Sequence, residues 1–221
     1  MGVVISLWAR IAPERDPGLL SQLRRLGLMD WWENHVSIQE ELPFDQMIAQ
    51  VAGNPACEPR FVTDSAPSYL SFLSSRCSID NPGLSDLLHK KAFQSVSRPG
   101  DYIDFHFDCS DCILNHYRRR SDPAHLDRSI LWCQRMIEIA SEVAWAFPVV
   151  YGDSALCSTG PHLGFHQLSV ILEQQRRFQE AIDLSIKARE SGWRDNIAGD
   201  PSDWDYRISR LRKKLAKMSE T

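Results

Sequence analysis

The chain is 221 residues long, 43% hydrophobic and 24% charged, with a formal net charge of -4. That length can bury a substantial core, as one large domain or two small ones. The slight acidity gives no reason to expect nucleic acid as the main partner, and no run approaches the roughly 18 apolar residues of a membrane span.

The opening MGVVISLWAR is apolar from Val3 to Ala9 and rich in β-branched residues, enough for one strand but not for a sheet. It has neither a charged leading segment nor a small-residue cleavage site, so a signal peptide is not expected. Six cysteines (Cys57, Cys77, Cys109, Cys112, Cys133, Cys157) are scattered through a chain too long to need disulfide staples. With no Asn-x-Ser/Thr acceptor either, a reducing cytoplasm is the expected compartment. Eight prolines, from Pro13 to Pro99, interrupt the first hundred residues. Helices between such breaks must be short, because proline removes a donor and restricts its predecessor. The pieces expected are 17–28, 40–51, 68–77 and 84–96, the last with Leu84, Leu87, Leu88 and Ala92 at helical spacing. Neighbouring Trp31 and Trp32 would point different ways on a helix, so one must reach beyond its own core; burial against the C-terminal half is the expectation.

From Asp101 onward the periodicity becomes long and regular. Pro99-Gly100-Asp101 reads as a break followed by an N-cap carboxylate, opening a helix to about Arg120. Tyr102, Phe105, Cys109, Cys112, Ile113, His116 and Tyr117 share one of its faces. After the turn at Ser121-Asp122-Pro123, the residues Leu126, Ile130, Cys133, Ile137, Ala140, Ala144 and Phe147 predict one helix that ends at Pro148. Pro161 opens a helix hairpin whose second helix stops at Ser191-Gly192. A polar loop then leads to a last helix with Trp204, Ile208, Leu211, Leu215 and Met218 in register. The basic residues crowded on that helix (Arg207, Arg210, Arg212, Lys213, Lys214, Lys217) read as a solvated face that complements the negative end of the helix dipole.

The segment from His162 to Arg194 carries the strongest pattern. Phe165, Leu168, Ser169 and Leu172 on one helix face Phe178, Ala181, Ser185 and Ala188 on the other, in a unit of about 34 residues. Small residues let the helices approach and large ones fill the space beside them. On these residues the hairpin resembles a tetratricopeptide repeat, with Ser185 in place of a bulky residue and Trp193 near the place of the closing proline. The preceding hairpin, from Phe107 to about Glu142, resembles a more degenerate copy through Ile113, Tyr117, Ser129 and Cys133, with about three additional residues in its turn. The last helix would then be the polar-backed cap such an array needs.

The chemistry-bearing residues yield no decisive catalytic signature. His106, Cys109, Cys112 and His116 are zinc-ligand types. On a helix, however, only Cys109, Cys112 and His116 face one way, beside Phe105 and Ile113, so core packing is the expected role and a metal set of those three, with Cys133 nearby, the alternative. A redox role for Cys109 and Cys112 lacks the βαβ context and a place at a helix's positive end. His162 and His166 stand four apart without the glutamate of a metalloprotease motif. Asp104, Asp108 and Asp111 read as a solvated acidic stripe. There is no phosphate loop and no nucleophile elbow, since Gly83-Leu84-Ser85-Asp86-Leu87 fails at its last position.

The reading is an all-α chain: irregular, mostly helical residues 1–100 of unknown role, then a repeat-like stack of helix hairpins with a capping helix over 101–221. The resemblance implies a protein–protein interaction role, as scaffold, adaptor or regulatory subunit, with first helices lining a groove for another protein or peptide. By that resemblance Leu163, His166, Val170, Glu173 and Gln174 face the groove in the better repeat, and Asp108, Asp111, Asn115, Arg118 and Arg119 in the poorer one. Arg118 and Arg119 beside Asn115 are placed to grip a carboxylate. No cofactor is expected; a homodimer is a further possibility, and an enzyme site within residues 1–100 or a self-contained structural protein are the rival readings.

Overall fold

A computed structural model describes residues 17–39, 64–152, 161–195 and 203–219, with the backbone alone for 17–20 and 37–39. The expected strand at the N-terminus and the helix over 40–51 lie outside the described residues. Every regular element among the described residues is an α-helix, and the fold class is all-α. The chain divides into two compact units, Met1–Val96 and Ser97–Thr221, a boundary slightly earlier than the expected break at residue 100.

The first unit holds α1 (Pro17–Arg25), α2 (Met29–Gln39), α3 (Ala66–Cys77) and α4 (Pro82–Gln94). Helix α2 was not expected. It follows α1 after a cap at Gly27, whose φ of +68° is the left-handed conformation glycine adopts without strain. Trp32 is buried, while Trp31 stacks on His35 with the Lys91 ammonium 5.7 Å above its ring. The Trp31 contacts with Trp32, His35 and Lys91 all lie inside this unit. Helices α3 and α4 begin as their sequences dictate. Ser65 and Asn81 accept from the N–H groups of Ser68 and Leu84, with proline in each first turn.

The second unit holds α5 (Pro99–Tyr117), α6 (Pro123–Glu138), α7 (Ala140–Tyr151), α8 (Leu163–Gln174), α9 (Phe178–Glu190) and α10 (Trp204–Ser219). Helix α6 packs on α5, α8 on α6 and α9, α10 on α9, and α7 folds back onto α5. Three expectations are corrected. Asp101 is not the N-cap of α5: Pro99 sets the start two residues earlier, Arg98 is the cap, and the Asp101 carboxylate reaches back to accept from Ser97 (3.1 Å) and Arg98 (2.9 Å) N–H. The single helix expected through Phe147 is two, parted at Ile139. Pro148 lies inside α7 rather than ending the helix; it sits in the last turn, where the carbonyl that loses its donor belongs to exposed Ala144.

The α8–α9 hairpin buries the expected stripe: Phe165, Leu168, Leu172, Phe178, Ala181 and Ala188 are all inside. Each large member stabilises by about 1.5–3 kcal/mol, so the stripe outweighs the polar contacts within it. Those contacts explain the serines. Ser169 and Ser185 hydroxyls meet at 3.2 Å, and Ser185 also donates to the Ala181 carbonyl. Serine seals the other hairpins too: Ser129 donates to the Ile113 carbonyl across α5–α6, and Ser74 and Ser85 bond reciprocally across α3–α4. A small hydroxyl residue permits close approach without leaving a buried polar atom unsatisfied. Gly164 serves the same end between α8 and α6, where a Cβ would come within 3.0 Å of the Cys133 carbonyl oxygen.

Candidate interaction surface

The groove positions expected on α8 face outward only in part. Leu163 and Val170 are half-buried. His166 is tied down: its Nδ1 donates to Asp195 at 2.8 Å, and the other oxygen of that carboxylate accepts from Arg207 Nε at 2.6 Å. Burial would raise the Asp195 pKa, but the hydrogen bonds from His166 and from the Arg207 guanidinium prevail and hold it below the usual carboxylate range. Glu173 is held at both oxygens, by Arg210 (2.6 Å) and Lys214 (2.7 Å) of α10. Gln174 is exposed and bonds the Tyr117 hydroxyl at the end of α5 (3.2 Å). Three of the five positions therefore fasten the array to itself. The stretch of α10 expected to be a solvated face is partly a clamp, since Arg207 is buried.

On α5 the expected positions are more available. Asp108 and Asn115 are half-buried, while Asp111, Arg118 and Arg119 are exposed. The opposite face is core: Phe105, His106, Cys109, Cys112, Ile113 and His116 are buried. Burial pushes the Cys109 and Cys133 thiols up, as small apolar residues would show. His116 turns to His125, with the two Nδ1 atoms 3.0 Å apart. No three His, Cys, Asp or Glu residues among the described ones are placed to share a metal ion.

His106 was expected to lie off to the side and instead enters the core. Its ring stacks on Trp193 and meets His162 and Phe147 edge-on. Burial lowers the pKa of His106 to about 4. Burial, with His106 as a neighbour, lowers that of His162 to about 3. His162 also caps α8 by accepting from the Phe165 N–H. Both imidazoles are neutral wedges between α5, the start of α8 and the turn after α9.

Sequence reading missed an open apolar surface on α7. Helix α7 lays Ala140, Val143 and Ala146 on α5, yet Trp145, Val149 and Tyr151 on its remaining surface are each more than half exposed. Phe107 of α5 is equally exposed, with its ring 6.3 Å from Phe147, which in turn lies 6.0 Å from Tyr151. The signal was present: from Val143 to Tyr151 the run VAWAFPVVY contains no charged residue, so no rotation of the helix hides all of it. Asp195 and Arg207 carried no such signal, because their pairing exists only after α10 docks.

No family model, no curated protein and no solved structure matches this chain. Among the described residues no helix is long and apolar enough to cross a membrane.

Proposed function

We propose that the chain is a protein–protein interaction module, a scaffold, adaptor or regulatory subunit whose second unit is a tetratricopeptide-like helical array. The observation that carries this reading is the exposure of four large apolar side chains, Phe107, Trp145, Val149 and Tyr151, on and beside α7. Large apolar side chains held on the outside of a folded protein mark an interaction site when they cluster, as Phe107, Phe147 and Tyr151 do, and Trp and Tyr are the residue types that dominate binding energy at interfaces. Asp108, Asp111, Asn115, Arg118 and Arg119 on the neighbouring helix supply a polar margin. Leu163 and Val170 on α8 are half-buried; His166, Glu173 and Gln174 fasten the array to Asp195, α10 and Tyr117. The partner is another protein or peptide, and the compartment is the cytoplasm, which accords with the fully buried thiols of Cys109 and Cys133.

The test is site-specific photo-cross-linking in native lysate, with a benzophenone side chain at position 145 and a control at exposed Asp183 on α9. A discrete adduct at 145 and none at 183 is the expected result. Equal labelling at both positions, or none at 145, overturns the proposal. An adduct of twice the chain's own mass identifies the partner as a second copy.

A further inference from the structure

The interaction reading says where a partner can bury apolar surface; the charge pattern of the array says what kind of polar segment it brings. The hydrogen bond between Tyr117 and Gln174 joins the C-terminal ends of α5 and α8. The turn between α5 and α6 and the turn between α8 and α9 therefore lie at the same end of the stack. The first presents Arg118, Arg119 and Arg120, and the second Arg176 and Arg177, all exposed. Lys214 reaches Glu173 from α10, so the basic half of that helix approaches the same end. Most of the acids interspersed there are already held, Glu173 by Arg210 and Lys214 and Glu180 by Arg177, while Asp122 in the first turn accepts from the Ala124 N–H and leaves the arginines in excess. In a chain of net charge -4 this edge is a concentrated cationic field.

Arg176 supplies an independent argument. Its φ is +59°, the one positive value on a non-glycine residue among the described residues. It sits at the end of α8, with Arg176 N–H bonded to the Glu173 carbonyl and Arg177 N–H to that of Leu172. Glycine is the residue that fits such a cap without strain. An arginine there costs stability, and among the described residues its side chain has no hydrogen-bond or ion-pair partner. Strain of this kind persists where the residue has another use.

We infer that this arginine edge binds a short acidic segment of the partner, a run of Asp and Glu side chains gripped by Arg118, Arg119 and Arg176. Arginine's planar donor fork suits carboxylates in pairs. A long polyanion such as nucleic acid fits less well, because back along α5 the surface turns acidic at Asp104, Asp108 and Asp111. The segment is therefore short and confined to the edge. This inference rests on the interaction reading above.

The experiment measures fluorescence anisotropy of the full chain with a labelled (Asp-Glu)4 peptide, both termini blocked, beside a (Asp-Lys)4 peptide and an eight-nucleotide dT strand. Wild type is expected to bind the acidic peptide, more weakly as salt is raised. The triple variant Arg118→Gln/Arg119→Gln/Arg176→Gly loses at least tenfold in affinity. Lys187→Gln/Arg194→Gln, at the other end of the stack, stays within twofold. The single variant Arg176→Gly is the sharpest arm: its melting temperature rises while its affinity falls, which damage to the fold cannot produce. Equal losses in the distal variant, tighter binding of dT, or no binding by wild type overturns the inference. In that last case an adduct at position 145 shows that the interaction reading stands without it, and a missing adduct shows that both fall together.

Discussion

The two helices that close the second unit, α7 and α10, finish their surfaces in opposite ways. Helix α10 buries Trp204, Ile208 and Leu211, fastens Arg207 and Arg210 to carboxylates, and turns Arg212, Lys213 and Lys217 to solvent. Helix α7 buries Ala140, Val143 and Ala146, half-buries Phe147, and exposes Trp145, Val149 and Tyr151. A helix backed by charge ends an array. A helix backed by Trp145, Val149 and Tyr151 leaves it open. The difference teaches that, among the described residues, one edge of this unit is finished with charge while the other keeps large apolar side chains exposed.

The largest expected effect tests the closed edge. Asp195→Ala removes the one carboxylate that both His166 and Arg207 engage, leaving a buried guanidinium without its counter-charge. Breaking a buried pair from one side costs about 3–5 kcal/mol. The urea midpoint should fall accordingly, and protease should cut ahead of α10 in the variant before wild type is touched. A loss below about 1 kcal/mol would mean that apolar contacts alone hold α10, and the contrast between the two edges would rest on shape rather than charge.

A second test uses acid at the junction between the edges. His106 and His162 stay neutral in the folded chain to about pH 4 and about pH 3 because burial disfavours their charged forms. The unfolded chain takes up these protons near pH 6.5, so stability is full above that value and declines as pH falls. The decline is about 2 kcal/mol for each histidine by pH 5. His106→Phe keeps the stack on Trp193 and removes one titration, so its loss between pH 6.5 and 5 should be about half that of wild type. Equal slopes in the two proteins would place the acid sensitivity elsewhere.

How much of this was legible depends on how the sequence punctuates itself. The α8–α9 hairpin was readable because large and small residues alternate at helical spacing and Gly192, with φ +78°, closes it as a glycine should. The break at Ile139 was not readable: neither glycine nor proline marks it, and no side chain caps α7. The phase of α6 was misread for a related reason. Apolar residues cover about half of its circumference, and the core takes Ser129, Trp132, Cys133 and Met136, leaving Leu126, Ile130 and Ile137 half-buried. Periodicity allowed both rotations, and the neighbours chose the one with a serine at the crossing. The groove residues of α5 could be placed from one helix's pattern. The fates of His166 and Glu173 could not, since each is decided by a residue 29 or more positions away.

Gly164→Ala gives the next largest effect and bears on how the two edges are joined. A methyl group there meets backbone at Cys133 and the side chains of His162 and Met136, none of which is the free end of a flexible chain. Overpacking of this sort costs about 1–3 kcal/mol, read as a lower thermal midpoint with unchanged far-ultraviolet dichroism. A neutral result would show that α8 can slide on α6, and the stack would be a softer spacer between its edges than the packing implies.

The smallest effect on stability is the most telling about the open edge. Trp145→Ser and Val149→Ser replace large apolar groups that face water, so each should change unfolding free energy by no more than about 0.5 kcal/mol. Val143→Ser on the buried side of the same helix should cost about 2 kcal/mol or more, through lost packing and a hydroxyl with no partner. Chemical denaturation of the three variants side by side measures both. If Trp145→Ser costs as much as Val143→Ser, that indole is already covered by its own chain, α7 is closed like α10, and the surface assigned to a partner is ordinary core. If only Val143→Ser is costly, the indole does nothing for folding. Binding is then the role that explains a tryptophan held on the outside of a helix.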